Sequence, residues 1–244
     1  MKIDLVITEL HVGGAERCCV ELAIFLHKRG HQVQLIVLGR PPKIGRESLR
    51  VRLEEAGIQA DFLGCNHWSQ FLNAWWQLRK RILKRQPDIA QSFLWHANIL
   101  AAATFPGFRV PLFGGVRVAD PRVGRRFLSR WASRRMEKTI CVSTALEHYC
   151  RDAEGIAAEK LVSIPNGIDV KTLLHASQAV THSAEPERLS TERELLAIPC
   201  DAPILLFVGR LHLQKGVDEL ARRWNALLSE LPAHHLVLVG DGPL

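Results

Sequence analysis

The 244-residue sequence has no CxxC pair, no histidine cluster at metal-ligand spacing, no long uninterrupted apolar run and no short-period repeat. Each absence removes a class of protein. The six cysteines (Cys18, Cys19, Cys65, Cys141, Cys150 and Cys200) lack the pairing of a zinc or redox motif. They read as reduced, mostly buried thiols of a cytosolic protein. The opening MKIDLVITEL is too short an apolar run for a secretory signal, with Asp4 interrupting it and Glu9 closing it. No window reaches the apolar length of a membrane span, so a soluble or at most peripheral protein is expected. The GxGxxG fingerprint is also missing. Gly13 and Gly14 stand side by side where it would fall, and Gly39-Arg40 rather than an acidic residue follows the second expected strand. A nicotinamide-dependent enzyme is therefore set aside.

What is present is an ordinary globular balance, 47% hydrophobic and 23% charged, with a net charge of +7. That balance excludes wholesale disorder. The basic excess favours anionic partners: nucleotide phosphates, nucleic acid or an acidic membrane surface. Strand-like and helix-like segments alternate throughout. IDLVIT (3–8), QVQLIVLG (32–39), IQADFLG (58–64), DIAQSF (88–93), VPLFGGVRV (110–118), KTICVS (138–143) and KLVSIP (160–165) read as strands. Segments with apolar residues at helical period lie between them, AERCCVELAIFLHKRG (15–30) and SQFLNAWWQLRKRILKRQ (69–86) among them. This rhythm predicts a parallel sheet with helices on both faces. Residues 171–190 are polar and aperiodic and read as a linker. The rhythm then restarts with a helix over 190–199, strands over 203–210 and 235–241, and a helix over 217–231 between them.

Several sites stand out against this background. HVGGAER places Gly13 and Gly14 between a strand and a helix, where a backbone without Cβ can approach a phosphate or sugar oxygen. A tight turn without a ligand explains the same residues. His96 follows a strand at the edge where parallel sheets bind ligands, although a lone histidine more often caps or packs. In FVGRLHLQKGVDEL, Arg210 ends a strand and Lys215 lies near a helix start, so the two cations and the helix dipole suit a diphosphate. Asn166 sits in IPNGID, strong turn chemistry. The helix with Trp75 and Trp76 beside Arg79, Lys80, Arg81, Lys84 and Arg85 suits either core packing or an anionic membrane. Core packing explains it more simply. Nucleic-acid binding has only charge to support it, with no aromatic platform or recognition motif.

GGAER, HANILAAA, IPNGID, VGRLHLQKGVDEL and LVGDGP occur in an order and spacing that resemble glycosyltransferase family 4. The resemblance implies an α/β protein of GT-B type, with a complete Rossmann-like domain over 1–170 on the acceptor side. A linker over 171–190 and an incomplete nucleotide-sugar-binding domain over 191–244 would follow. It implies a retaining transfer from a nucleotide-sugar donor to a glycan or lipid-linked acceptor in cell-envelope polysaccharide synthesis. His96, Arg210 and Lys215 would be catalytic. Gly13, Gly14, Asn166, Gly209, Gly240, Asp241 and Gly242 would contact donor or acceptor. No metal, cofactor or nucleic acid is expected, and the location implied is cytoplasmic, peripheral at the inner face of the membrane. Family members continue past GDGP to a paired-glutamate motif, so this chain is expected to be a shortened member, inactive alone. The alternative is a non-catalytic remnant that binds acceptor or a partner through its first domain.

Overall fold

The computed structural model describes residues 1–167 and 193–244, apart from Ile44, Arg46 and Asn66, and between those spans only 170 and 174. Most of the linker expected over 171–190 therefore lies outside the described residues. The chain divides into two compact units, Met1–Ile168 and Asp169–Leu244.

In the first unit, the apolar runs form seven parallel strands: β1 (Lys2–Ile7), β2 (Gln32–Val37), β3 (Ala60–Phe62), β4 (Ile89–Phe93), β5 (Leu112–Val116), β6 (Lys138–Cys141) and β7 (Leu161–Ser163). Their order is β3-β2-β1-β4-β5-β6-β7. The period of two sends Leu5, Ile7, Leu35 and Val37 to one face and Val6, Ile36 and Ala90 to the other. Helices α1 (Gly14–Lys28) and α2 (Ser48–Glu55) cover the first face through Cys19, Val20, Ala23, Leu49 and Leu53. On the other face lie α3 (Phe71–Arg85), α4 (Trp95–Thr104) and α5 (Val123–Ser133), with a core of Ala74, Leu78, Ile82, Leu100 and Ala132. Helix α6 (Thr144–Asp152) packs on β6 and β7 through Leu146 and Cys150. The chain winds one way from β1 to β3 and the other from β4 to β7. Between β1 and β4 the crossover direction reverses, leaving a crevice at the carboxyl ends of the strands.

Two polar side chains and the backbone of Gly115 lock α4 to the sheet. Ser92 Oγ and Asn98 Oδ1 lie 2.7 Å apart, and Asn98 Nδ2 donates to the Gly115 carbonyl at 3.0 Å. The Gly115 N–H returns to Asn98 Oδ1 at 3.4 Å. Next to this triangle, a Cβ on Gly114 would lie 2.3 Å from Met136 Sδ, so the Met136 side chain packs into space that glycine leaves open.

The amino-terminal edge of the sheet is held by a buried ion pair. Asp4 is fully buried, and its Oδ1 lies 2.7 Å from Arg85 Nε at the end of α3. Arg85 also donates to the Gln32 carbonyl, so one guanidinium joins α3, β1 and β2. Burial pushes the Asp4 carboxyl above its ordinary value, and the hydrogen bond and charge of Arg85 pull it back. Glu154, 7% exposed beside α6, has weaker support, and burial pushes its carboxyl from 4.5 up to about 7.

In the second unit, β8 (Ile204–Val208) and β9 (His235–Val239) pair in parallel, with α7 (Val217–Leu227) between them in sequence. Of the helix expected over 190–199, residues 193–195 are helical among those described.

Arg85→Ala should cost about 3–5 kcal/mol in denaturant unfolding, because it strands a buried carboxylate. Glu154 gives the opposite pH dependence to an ordinary paired acid. Below pH 4.5 both states hold the proton, and between 4.5 and about 7 only the folded state does. Stability should therefore fall across that window by up to roughly 3 kcal/mol. Unfolding curves at pH 4.5 and 8 should show the loss, and Glu154→Gln should remove it.

Candidate active site

The crevice between β1 and β4 is built on the first turn of α4. Leu94 turns the chain into that helix from the left-handed region, with φ of 71°. Thr8 Oγ1, at the exit of β1, accepts the Ala97 N–H at 3.3 Å and ties the turn to the neighbouring strand. His96 is half-buried on this turn. Trp95 meets it edge-on, with ring centroids 5.0 Å apart. Trp95 is in turn braced by α5: its Nε1 lies 3.2 Å from Ser129 Oγ, and the Arg125 guanidinium stacks over the ring. Burial lowers the pKa of His96 below its ordinary value, and Arg125 lowers it further against the opposing pull of Glu9. Both effects favour the neutral imidazole.

Beside His96 opens a cavity of about 540 Å³. Its walls come from the exits of three neighbouring strands: Thr8, Glu9 and His11 after β1, Arg40 and Lys43 after β2, and Cys65 and His67 after β3. Phe71, at the start of α3, closes one side. His11 lies 3.9 Å from Glu9.

Gly13 and Gly14 lie at the turn into α1, and the structure distinguishes them. The Glu16 carboxylate folds back over Gly13, within 2.3 Å of where a Cβ would stand. Gly14 has open space at that point. Asn166 is exposed after β7, and its Oδ1 accepts from Cys18 Sγ at 3.4 Å and from Arg117. Arg117 follows β5 and lies over the Phe93 ring at 5.2 Å. It thus joins the exits of β4, β5 and β7 beside α1. Sequence reasoning passed over Arg117, Arg40 and Lys43. The available signal was position: Arg117 and Arg40 each come within a few residues of a strand end, as His96 does.

In the second unit, Arg210 and Lys215 are exposed on the segment joining β8 to α7. Lys215 ends a short 3-10 turn, in which the His212 ring accepts the Gln214 N–H at 3.1 Å. The first turn of α7 carries Asp218 and Glu219, paired with Arg222 and Arg223. The helix dipole expected to reinforce the two cations is therefore already met by acidic side chains. The Gly240-Asp241-Gly242 run has a backbone role. Gly209 N–H donates to the Val239 carbonyl and Leu211 N–H to the Asp241 carbonyl, which extends the pairing of β8 and β9 past their ends. A Cβ on Gly240 would meet the Gly209 oxygen at 1.8 Å, and one on Gly242 the Leu211 oxygen at 2.0 Å. Asp241 is exposed between them.

Trp75 and Trp76 have different surroundings. Trp75 packs against the core and donates from Nε1 to the Ala103 carbonyl at 3.2 Å, whereas Trp76 is 53% exposed. Among the described residues no group of three or more His, Cys, Asp or Glu is placed to hold a metal, and no helix is long and apolar enough to cross a membrane.

Comparison with known proteins gives a consistent assignment. D-inositol 3-phosphate glycosyltransferase of Kineococcus radiotolerans is 26% identical over 245 residues, covering 90% of this chain and 53% of that protein. Anabaena HepE, in its crystal structure with UDP-glucose, superposes with a TM-score of 0.71 at 20% identity, over 99% of this chain and 61% of HepE. Sucrose-phosphate synthase from Thermosynechococcus elongatus gives 0.70 at 18% identity, over 98% of this chain and 62% of the synthase. The chain thus spans about half the length of the curated relative and rather more of the solved ones. Its fold is the α/β fold of GT-B glycosyltransferases, of which it covers only a part. The Glycosyltransferase Family 4 profile matches residues 12–172, and the chain belongs to that family.

Proposed function

We propose that this chain is part of an enzyme that transfers a sugar from a nucleotide-sugar donor to a glycan or lipid-linked acceptor, with retention of configuration. The observation that carries the reading is a half-buried His96, its burial favouring the neutral ring, at the switch point of a parallel sheet, in a chain whose family match spans that site. A neutral imidazole can both donate and accept a hydrogen bond, which suits a sugar hydroxyl better than a fixed charge would. Arg210 and Lys215 would supply two positive charges to the departing diphosphate, the group on which charge develops as the glycosidic bond breaks. Gly14, Asn166 and the Gly240–Gly242 turn would lie against donor or acceptor. The complexes of Anabaena HepE with UDP and UDP-glucose support a nucleoside diphosphate as the leaving group. Because the chain covers only 53–61% of these relatives, the 244 residues alone are proposed to turn over slowly.

We further propose peripheral contact with an anionic membrane at the cytoplasmic face. Leu72, Trp76 and Leu83 are 76%, 53% and 60% exposed on α3, opposite its buried stripe of Ala74, Leu78 and Ile82. At 100° per residue they fall within roughly 40° of one another. Lys80 Nζ stands 3.5 Å over the Trp76 ring. On α5, Val123 and Phe127 are likewise exposed among Arg122, Arg126 and Arg130. Apolar side chains ringed by cations match an anionic lipid surface.

Arg210→Ala and Lys215→Ala should each weaken UDP binding roughly tenfold to a hundredfold, with an unchanged unfolding midpoint, since both side chains are exposed. Calorimetry with UDP checks this, and unaltered affinity in both variants would remove the diphosphate role. Transfer from a panel of nucleotide sugars, with the product anomer read by NMR, tests the reaction itself. An inverted anomer would sink the retaining assignment. For the membrane, Trp76→Ala should lower sedimentation with vesicles containing phosphatidylglycerol and leave stability unchanged. Equal binding to purely zwitterionic vesicles would argue against it.

A further inference from the structure

The cavity beside His96 carries a charge that sugar hydroxyls alone do not call for. Among its lining groups, Arg40 and Lys43 are permanent cations, and His11, His67 and His96 add three imidazoles. Among the described lining residues Glu9 is the single carboxylate, and it lies against His11. The floor has the same sign. Helix α4 begins here with no acidic residue in its first turn, and of its leading N–H groups that of Ala97 is taken by Thr8 Oγ1. Helix amino termini of that kind favour an anion. At about 540 Å³, the cavity falls in the range that encloses most of a small ligand.

We propose that this cavity binds the acceptor through a phosphate group, held by Arg40 and Lys43, with the acceptor's sugar or polyol ring turned toward His96. Arg40 suits a forked contact to two phosphate oxygens, and Lys43 a single point charge on a flexible stem. The word acceptor rests on the glycosyl-transfer reading above, whereas phosphate binding does not depend on it. Two sources share this chemistry, a soluble sugar phosphate and a lipid-linked phosphate.

The test titrates the 244-residue chain with glucose 6-phosphate, with glucose, and with a polyprenyl phosphate in neutral detergent micelles, followed by amide NMR. At least one phosphate compound should shift amides of residues 8–11, 39–43 and 95–97, and glucose at the same concentration should not. Saturation by glucose 6-phosphate supports a soluble source, and saturation only by the micelles supports a lipid-linked one. Arg40→Gln and Lys43→Gln should each weaken that binding about tenfold, leaving UDP affinity and the unfolding midpoint unchanged. Lys84→Gln, which removes an exposed cation on α3, should have no effect. Equal shifts with glucose, unchanged affinity in both cavity variants, or an equal loss in Lys84→Gln would overturn the proposal. Because UDP binding and sugar transfer are measured separately, their failure with phosphate binding intact would overturn the transferase reading and leave this site standing.

Discussion

The buried triangle of Ser92, Asn98 and Gly115 is the interaction on which the candidate site depends. An amide side chain inside a protein must satisfy its donors and acceptor or lose stability. Asn98 does so by joining the ends of β4 and β5 to the second turn of α4. With α4 fixed there, the position of His96 two residues earlier follows from helical geometry. Thr8 then ties the same turn to β1, so the switch point is braced from both of its strands. Left-handed Leu94 carries the strain of this arrangement, which the surrounding packing holds in place.

Charge is divided between the two ends of the sheet. At the amino-terminal edge the acid of Asp4 is buried and answered by Arg85, and Lys2 and Asp88 close the same corner through backbone contacts. At the carboxyl edge Arg40, Lys43 and His11 are exposed or half-exposed around open space. A buried pair contributes mainly by the cost of breaking it. Exposed cations cost little to maintain, and their summed field extends into the crevice.

Much of this architecture could be read in the sequence. Continuous apolar runs between helical periods gave the seven parallel strands, with ends within a few residues of those observed. The places of His96 beyond β4 and of the Gly13-Gly14 turn between β1 and α1 were legible because each lies within a few residues of a strand end. The cavity was not legible, because its walls come from three exits and two helix starts that are remote in sequence. The double character of α3 was only half visible. Its composition allowed a core helix or a membrane helix, and the structure gives Trp75 to the core and Trp76 to solvent. Gly240 and Gly242 read as ligand-contacting residues in the sequence, and the approach of the Gly209 and Leu211 carbonyls demands glycine at both positions independently of any ligand. Backbone-to-backbone proximity of that kind leaves no trace in a local pattern.

All strands of the first sheet run the same way, so every strand exit that lines the cavity leaves from one edge. Such loops can drift in sequence one at a time while the packed faces beneath them stay as they are. Arg40 or Lys43 could be exchanged during divergence without disturbing Asp4, Asn98 or the apolar rows of β1 and β2. With the acceptor held as proposed, its choice could then change by small independent steps, each open to selection before the next.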